Sequence, residues 1–242
     1  MTTKTSERQF LERYRPERFA RPSLTVDLVI LTVVDKELRV LLVQRAEHPF
    51  KGRWALPGGF VRVGESADHQ GEDLDEAAAR ELQEETGLSN IYLEQVRTFG
   101  KPGRDPRMRV VSVVYFALVR PSLVPLVRSG GDAARARWYG ATDTPPLAFD
   151  HADMLAAAIA RLRADLDRTG IAFQLVPETF TVQELRTAHE AIRAQALDPG
   201  NFRKRFLRMI DDGVIEPARG KRATASKPAH VYRFTVEREV ES

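Results

Sequence analysis

The residues best equipped for chemistry lie between Glu72 and Leu88, where the chain reads E-D-L-D-E-A-A-A-R-E-L-Q-E-E-T-G-L, with a glycine pair, Gly58 and Gly59, upstream. Leu74, Ala78 and Leu82 recur at i, i+4 and i+8, so the stretch is predicted to be an amphipathic helix that Gly87 ends in the left-handed conformation. At about 100° per residue, Glu81, Glu84 and Glu85 project from one sector, about a quarter turn from that apolar stripe. Glu81 and Glu85 form an i, i+4 like-charge pair, which is mildly destabilising without a cation. A lone E-x-x-E-E is ordinarily a solvated acidic face; here the whole string argues otherwise.

Arg80-Glu81-Leu82-Gln83-Glu84-Glu85-Thr86-Gly87-Leu88, with Glu72 eight residues before Arg80 and Gly58-Gly59 upstream, resembles the Nudix box. The family pattern is G-x5-E-x7-R-E-apolar-x-E-E-x-G-apolar, and its second half matches at every position. Between the glycines and the helix the chain departs from it by seven extra residues, about Gly64 to Gln70. Counting forward from Gly59 reaches Glu65 as the family's first glutamate, whereas counting back from Arg80 reaches Glu72. Glu72 is favoured because it keeps the helix register, and the insert is expected to lengthen the loop beside the site.

With 242 residues, 43% of them hydrophobic, the chain can form one or two packed domains. The absence of cysteine excludes a disulfide frame, thiol chemistry and cysteine-held zinc, and fits a reducing cytoplasm. No apolar run approaches membrane-spanning length, and residues 1–22 lack the apolar core of a signal peptide, so a cytoplasmic protein without membrane attachment is expected. The histidines, His48, His69, His151, His189 and His230, have no metal-ligand spacing and are expected at the surface or at caps. Because the net charge is only +3, the location of the basic residues matters more than their number.

Residues 1–22 read as a mobile arm anchored by Tyr14 and Phe19, with a nucleic-acid-touching basic arm as the alternative. Leu24 to Val34 and Leu38 to Arg45 are β-branched and apolar, with Asp35 and Lys36 between them, and predict a hairpin. Trp54 to Phe60 then leads to the box; its glycines allow close approach of backbone to metal or phosphate, or simply make a turn. Ile91 to Phe99 and Val110 to Val119 read as strands, joined by a Pro/Gly loop from Gly100 to Arg107. Pro102 stands fifteen residues after Gly87, and F-G-K-P-G-R-D-P-R resembles the loop that marks ADP-ribose pyrophosphatases among Nudix proteins. A last strand, about Ala134 to Tyr139, precedes a helix from about Ala152 to Arg168 that Asp150 can cap.

From Phe173 the pattern changes. Thr181-Val182-Gln183-Glu184 is a capping box for one helix, and Asp198 with Pro199 opens a second through Phe202, Phe206 and Met209, ending near Gly213. Two short helices joined by a tight turn suggest helix-turn-helix, and Val214-Ile215 with Val231 to Val236 reads as a β-hairpin wing. Between Asp198 and Arg233 nine Lys/Arg face four Asp/Glu, a surplus of five. A solvated basic face is the plain alternative, which the order helix, helix, basic wing weakens.

The segments P-P-L-A-F-D-H, Leu175-Val176-Pro177, F-T-V-Q-E-L, Asn201-Phe202-Arg203-Lys204-Arg205-Phe206 and Lys227 to Phe234 resemble NrtR-type regulators over roughly residues 20–236. The resemblance implies an α+β fold, a Nudix α/β/α sandwich followed by a winged helix-turn-helix. The domains would be an arm (1–22), a Nudix domain (23–150), a connecting helix (151–170) and a DNA-binding domain (171–242). It implies a homodimeric repressor of NAD-metabolism genes that binds double-stranded operator DNA and senses ADP-ribose or a related metabolite. Asn201, Arg203, Lys204, Arg205, Arg208, Lys221, Arg222 and Lys227 would meet DNA. Where the family has Gly-Arg-Pro-Ala in the wing, this chain has Ser226-Lys227-Pro228-Ala229, which keeps the charge but loses arginine's forked geometry. Gly58, Gly59, Glu72, Pro102 and Arg104 would serve the ligand. By the Nudix family's chemistry Glu81, Glu84 and Glu85 would hold Mg2+ or Mn2+, with Arg80, Glu84 and Glu85 catalytic, and Glu84 or Asp105 as general base. An ADP-ribose pyrophosphatase whose second domain only dimerises is the alternative function.

Overall fold

The computed structural model describes residues 6–66, 69–127, 135–167, 169–224 and 227–235. Near the N-terminus Ser6 and Gln9 form a capping box on helix α1 (Glu7–Arg13), so the expected arm is partly helical, although none of the α1 residues is buried. Tyr14 lies between the rings of Phe10 and Phe19, at 5.7 and 6.0 Å.

Strands β1 (Ser23–Val34) and β2 (Glu37–Gln44) form the expected hairpin. Asp35 and Lys36 have φ of 53° and 66°, the mirror-image turn that matches strand twist. Two short strands follow, β3 (Trp54–Ala55) on β2 and β4 (Gly58–Phe60) on β1. The insert contributes its own two-stranded ribbon, β5 (Val63–Ser66) with β6 (His69–Gly71), rather than a plain longer loop.

Helix α2 (Leu74–Thr86) has Asp73 as N-cap in a capping box with Glu76, and Gly87 follows at φ 73°. Strands β7 (Tyr92–Phe99), β8 (Val110–Leu118) and β9 (Arg135–Gly140) complete the sheet; Ala134, expected to open β9, lies outside the described residues. The sheet runs β3-β2-β1-β8-β7, with β4 added on β1 and β9 on β2; β1 and β8 pair in parallel and the other strand pairs of the sheet among the described residues are antiparallel.

Alternation along β1 sends Val26, Leu28 and Ile30 to one face and Val29, Leu31 and Val33 to the other. The first face packs on Ala77, Ala78 and Leu82 of α2. The second packs on Met154, Leu155, Ala158, Ile159 and Leu162 of α3 (His151–Asp165). This is the α/β/α sandwich that the box resemblance implied. Helix α3 stops short of the expected end at Arg168, which is outside the described residues.

After a 3-10 turn (Ile171–Leu175) come α4 (Val182–Arg193) and α5 (Pro199–Asp211), capped by Thr181 and Asp198 as the sequence predicts. Strands β10 (Ile215–Arg222) and β11 (Ala229–Phe234) form the wing, and Phe180 bridges to Tyr232. The α3 side of the sheet and this unit share one apolar cluster, from Val29 through Leu162 to Phe180, Ile192 and Phe206. Among the described residues no helix is long and apolar enough to cross a membrane.

Candidate functional site

Arg80 is the hub of the box. Its Nε and Nη2 donate to the two oxygens of Glu72 at 2.8 and 2.6 Å, and its Nη1 donates to Glu81 Oε1 at 2.7 Å and Glu84 Oε2 at 3.1 Å. Nη2 also reaches the Phe60 carbonyl at 3.3 Å, tying α2 to the glycine segment. The Arg80 hydrogen bonds hold the Glu72 carboxyl down at about 2. Glu72 also accepts the Arg62 N–H at 2.7 Å.

Glu81 is buried, which pushes its pKa up against the pull of Arg80. It turns inward because Gly59 makes room: a Cβ built there would stand 2.3 Å from Glu81 Oε1. Gly58, at φ 150°, has no space for a Cβ either, which would meet the Val26 carbonyl at 2.3 Å. Glu84 is exposed and shared between Arg80 and Arg62, whose Nη2 donates to Oε1 at 2.9 Å. Among the described residues no three His, Cys, Asp or Glu side chains converge as a ready-made metal site. The donor types are nevertheless anionic oxygens, as a hard divalent cation takes, and backbone at Gly59 lies against one of them.

The Gly100 to Arg107 loop closes the other side. Arg107 sits 5.6 Å from the Phe60 ring and chelates Asp105, with Nη2 to Oδ2 at 2.8 Å. Burial pushes Asp105 up, but the Arg107 hydrogen bonds outweigh it and leave its pKa lowered, so this general-base candidate is already engaged. Pro102 is exposed on the loop. Arg104 does not point freely at a ligand: it is 5% exposed and forms a forked pair with Asp150, at 2.7 and 3.0 Å.

Several site residues had no motif to announce them. Asp27, buried in β1, accepts the Ser112 hydroxyl and lies 3.6 Å from His151 Nε2, while His151 Nδ1 accepts the Leu56 N–H at 2.9 Å. An aspartate inside the apolar run Leu24 to Val34 was the available signal. Phe50 and Phe149 meet edge to face at 4.8 Å with φ of 63° and 51°, and Arg45 lies 4.9 Å over Phe149. His151 and His189 are core residues, 4% and 1% exposed, contrary to the expected surface or cap positions. His151 starts the helix that covers the sheet, and His189 packs on Phe202 at 5.3 Å.

On the second unit, Phe202 and Phe206 anchor α5 inward while Asn201, Arg203, Lys204 and Arg208 stay exposed. Lys221 and Lys227 are exposed on the wing. Two predicted DNA contacts turn elsewhere. Arg205 pairs with Asp167 at 2.6 Å, and the same Asp167 binds Arg193 of α4. Arg222 donates to Glu184 at 2.5 Å and to the Thr179 carbonyl at 2.9 Å, bracing the wing against the start of α4. Their helix and strand positions lie beside a neighbouring acid, which outcompetes solvent for a guanidinium.

Comparison with known proteins matches residues 24–158 to the NUDIX domain and residues 172–234 to the NrtR DNA-binding winged helix domain. The chain is 36% identical over 235 residues to the ADPR responsive transcriptional repressor NtrR of Acinetobacter baylyi, covering 96% of this chain and 90% of that protein. The crystal structure of Shewanella oneidensis NrtR complexed with a 27mer DNA superposes with a TM-score of 0.71 at 32% identity, covering 87% of this chain and 93% of that one. The NUDIX domain of the same Shewanella protein, complexed with ADP ribose, gives a TM-score of 0.54 at 36% identity, covering 65% of this chain and 99% of that one.

Proposed function

Since the chain belongs to the NrtR family, a NUDIX domain followed by a DNA-binding winged helix, we propose that it is a transcriptional repressor of NAD-metabolism genes whose DNA affinity is set by ADP-ribose or a related nucleotide. The observation that carries this reading is the single apolar cluster running from the Nudix sheet into a unit whose second helix keeps a basic face outward. The face of the sheet opposite the box helix is therefore packed, through α3, onto the DNA-binding unit.

In this reading Asn201, Arg203, Lys204 and Arg208 meet phosphates or base edges, with Lys221 and Lys227 on adjoining phosphates. Binding is steeply salt-dependent, and a homodimer on a two-fold operator fits the way such modules dock. Gly58, Gly59, Glu72 and Pro102 serve the nucleotide diphosphate, and Arg104 meets it on leaving Asp150. Its effect on DNA binding equals its preference for one domain arrangement over the other. The test is titration of a duplex selected from a random library by this protein, with and without ADP-ribose. A duplex affinity indifferent to ADP-ribose rejects the switch.

Hydrolysis is the second reading, favoured by the intact set of Glu72, Arg80, Glu81 and Glu84. Nudix hydrolases generally use divalent metal ions; Glu81, Glu84 and Glu85 would hold Mg2+ or Mn2+ here. Such an ion supplies charge neutralisation of the diphosphate and an acidified water. Arg80 fixes Glu72 and Glu81, and either Glu84, paired with Arg80 and Arg62, or Asp105, paired with Arg107, would accept the proton. Water adds across the diphosphate, giving AMP and ribose 5-phosphate. AMP formation that disappears in Glu85→Gln supports this reading; bound ADP-ribose without AMP means the cleft acts as a sensor.

A further inference from the structure

Four of the five α-helices among the described residues begin in the ordinary way. Ser6, Asp73, Thr181 and Asp198 have extended backbone, with ψ of 150°, 163°, 163° and 123°, and each side chain accepts a hydrogen bond from a backbone N–H at the start of its helix. Asp150, at the start of α3, is the exception: its ψ is 24° and its side chain makes no cap hydrogen bond. Its carboxylate is instead gripped by the forked guanidinium of Arg104, from the loop beside the box. The preceding residue, Phe149, is held at φ 51°, a conformation costly for a bulky side chain. It persists because Phe50, His151 and Arg45 pack around its ring.

One carboxylate thus has two uses that exclude each other. It can pair with Arg104, or it can cap the first turn of α3, which needs ψ to become extended. We infer that the Arg104–Asp150 pair is the joint through which occupancy of the Nudix cleft reaches the DNA-binding unit, a diphosphate taking Arg104 and releasing Asp150 to cap α3. This inference rests on the ADP-ribose-responsive reading above. A diphosphate is the anion best suited to win a guanidinium from a carboxylate, since it offers paired oxygens and more charge.

The far end of α3 carries the movement. Arg163 donates to the Ile192 carbonyl at 2.8 Å, and Asp167 holds both Arg193 and Arg205. Re-seating the first turn of α3 therefore shifts α4 and α5 with it. Helix α2 has no such route, because it packs on the opposite face of the sheet.

The test is Asp150→Asn, which retains capping ability but loses the charge that holds Arg104. Operator affinity, on a duplex selected from a random library by the wild type, and ADP-ribose affinity, by calorimetry, are measured for both proteins. The variant is expected to bind the duplex, without ADP-ribose, as weakly as the wild type does with saturating ADP-ribose, and to respond no further. With the ligand-favoured arrangement already populated, it binds ADP-ribose more tightly, by about fivefold or more. A merely structural role would not tighten ligand binding. In the wild type alone, amide exchange over residues 152–155 slows when ADP-ribose is added. A variant that keeps the wild-type response, or exchange that ADP-ribose leaves unchanged, overturns the joint while leaving the regulator reading standing. A wild type whose DNA affinity ignores ADP-ribose overturns both.

Discussion

On one face of the Nudix sheet the side chains of β1 meet α2 and a few strand and loop residues, and the cluster ends there; on the other they continue through α3 into the winged unit. The α2 face is built from small residues, Ala77 and Ala78, beside Leu82, which lets the helix lie close and aim its acids at the glycine segment. The α3 face uses larger side chains, Met154, Leu155, Ile159 and Leu162, and binds two units into one. The box helix is thus built on one face of the sheet, and the packing that joins the two units on the other.

The largest expected effect breaks this contrast if it fails. Leu162→Ala, at a fully buried site, costs about 2–5 kcal/mol, and Leu82→Ala on the other face costs a similar amount. Only Leu162→Ala is expected to weaken DNA binding among molecules that remain folded, as measured by titration at a temperature well below the unfolding transition. The two tryptophans, Trp54 and Trp138, both lie in the Nudix part, whereas far-UV circular dichroism reports on all helices. In urea the two signals should move together in the wild type. Separate transitions would mean two independent cores.

Acid should separate the two regions next. Both ring nitrogens of His189 are buried without a hydrogen-bond partner, and burial lowers its pKa to about 4 from 6.5. The folded state prefers the neutral ring, so its contribution is complete above about pH 6.5 and is lost as pH falls toward about 4, by roughly 3 kcal/mol at most. Glu72, held at about 2 by Arg80, contributes above about pH 4.5 and loses that contribution only as pH falls toward about 2. On acidification stability should therefore fall first through His189 and only later through Glu72. His189→Leu should flatten stability between about pH 6.5 and 4 and leave the more acidic limb unchanged, measured by urea unfolding across pH.

Much of this was legible in the sequence where one local rule decides. The hairpin at Asp35-Lys36, the capping box at Thr181, and Gly87 each act within a few residues. The box itself was legible because Arg80, Glu81 and Glu84 act from one helix. What escaped depended on partners far along the chain. Asp150 reads as a helix cap until Arg104, forty-six residues earlier, claims its carboxylate. His189 reads as a surface residue until α5 closes over it, and the pairing of Arg205 with Asp167 has no signal in the sequence. The seven-residue insert gave length without pairing, and β5 with β6 shows that it folds on itself.

The smallest expected effect sharpens the comparison within one helix. Lys204 faces solvent from α5, whereas Arg205, its neighbour, is tied back to Asp167 and so belongs to the communicating face. Binding of a random-sequence duplex measured over a series of salt concentrations separates the two roles, because each phosphate neutralised adds about 0.9 to the logarithmic slope. Lys204→Ala should lower the slope by about that amount and weaken binding by about 1 kcal/mol at moderate salt. Arg205→Ala should leave the slope unchanged, since its charge is spent on Asp167, while lowering stability by about 1 kcal/mol through the lost partly exposed pair. Arg222→Met should behave like Arg205→Ala, because Glu184 and Thr179 already hold its guanidinium. A slope that falls for Arg205→Ala as much as for Lys204→Ala would mean that the pair with Asp167 opens on DNA, and that the line between reading DNA and relaying the signal runs through this side chain rather than beside it.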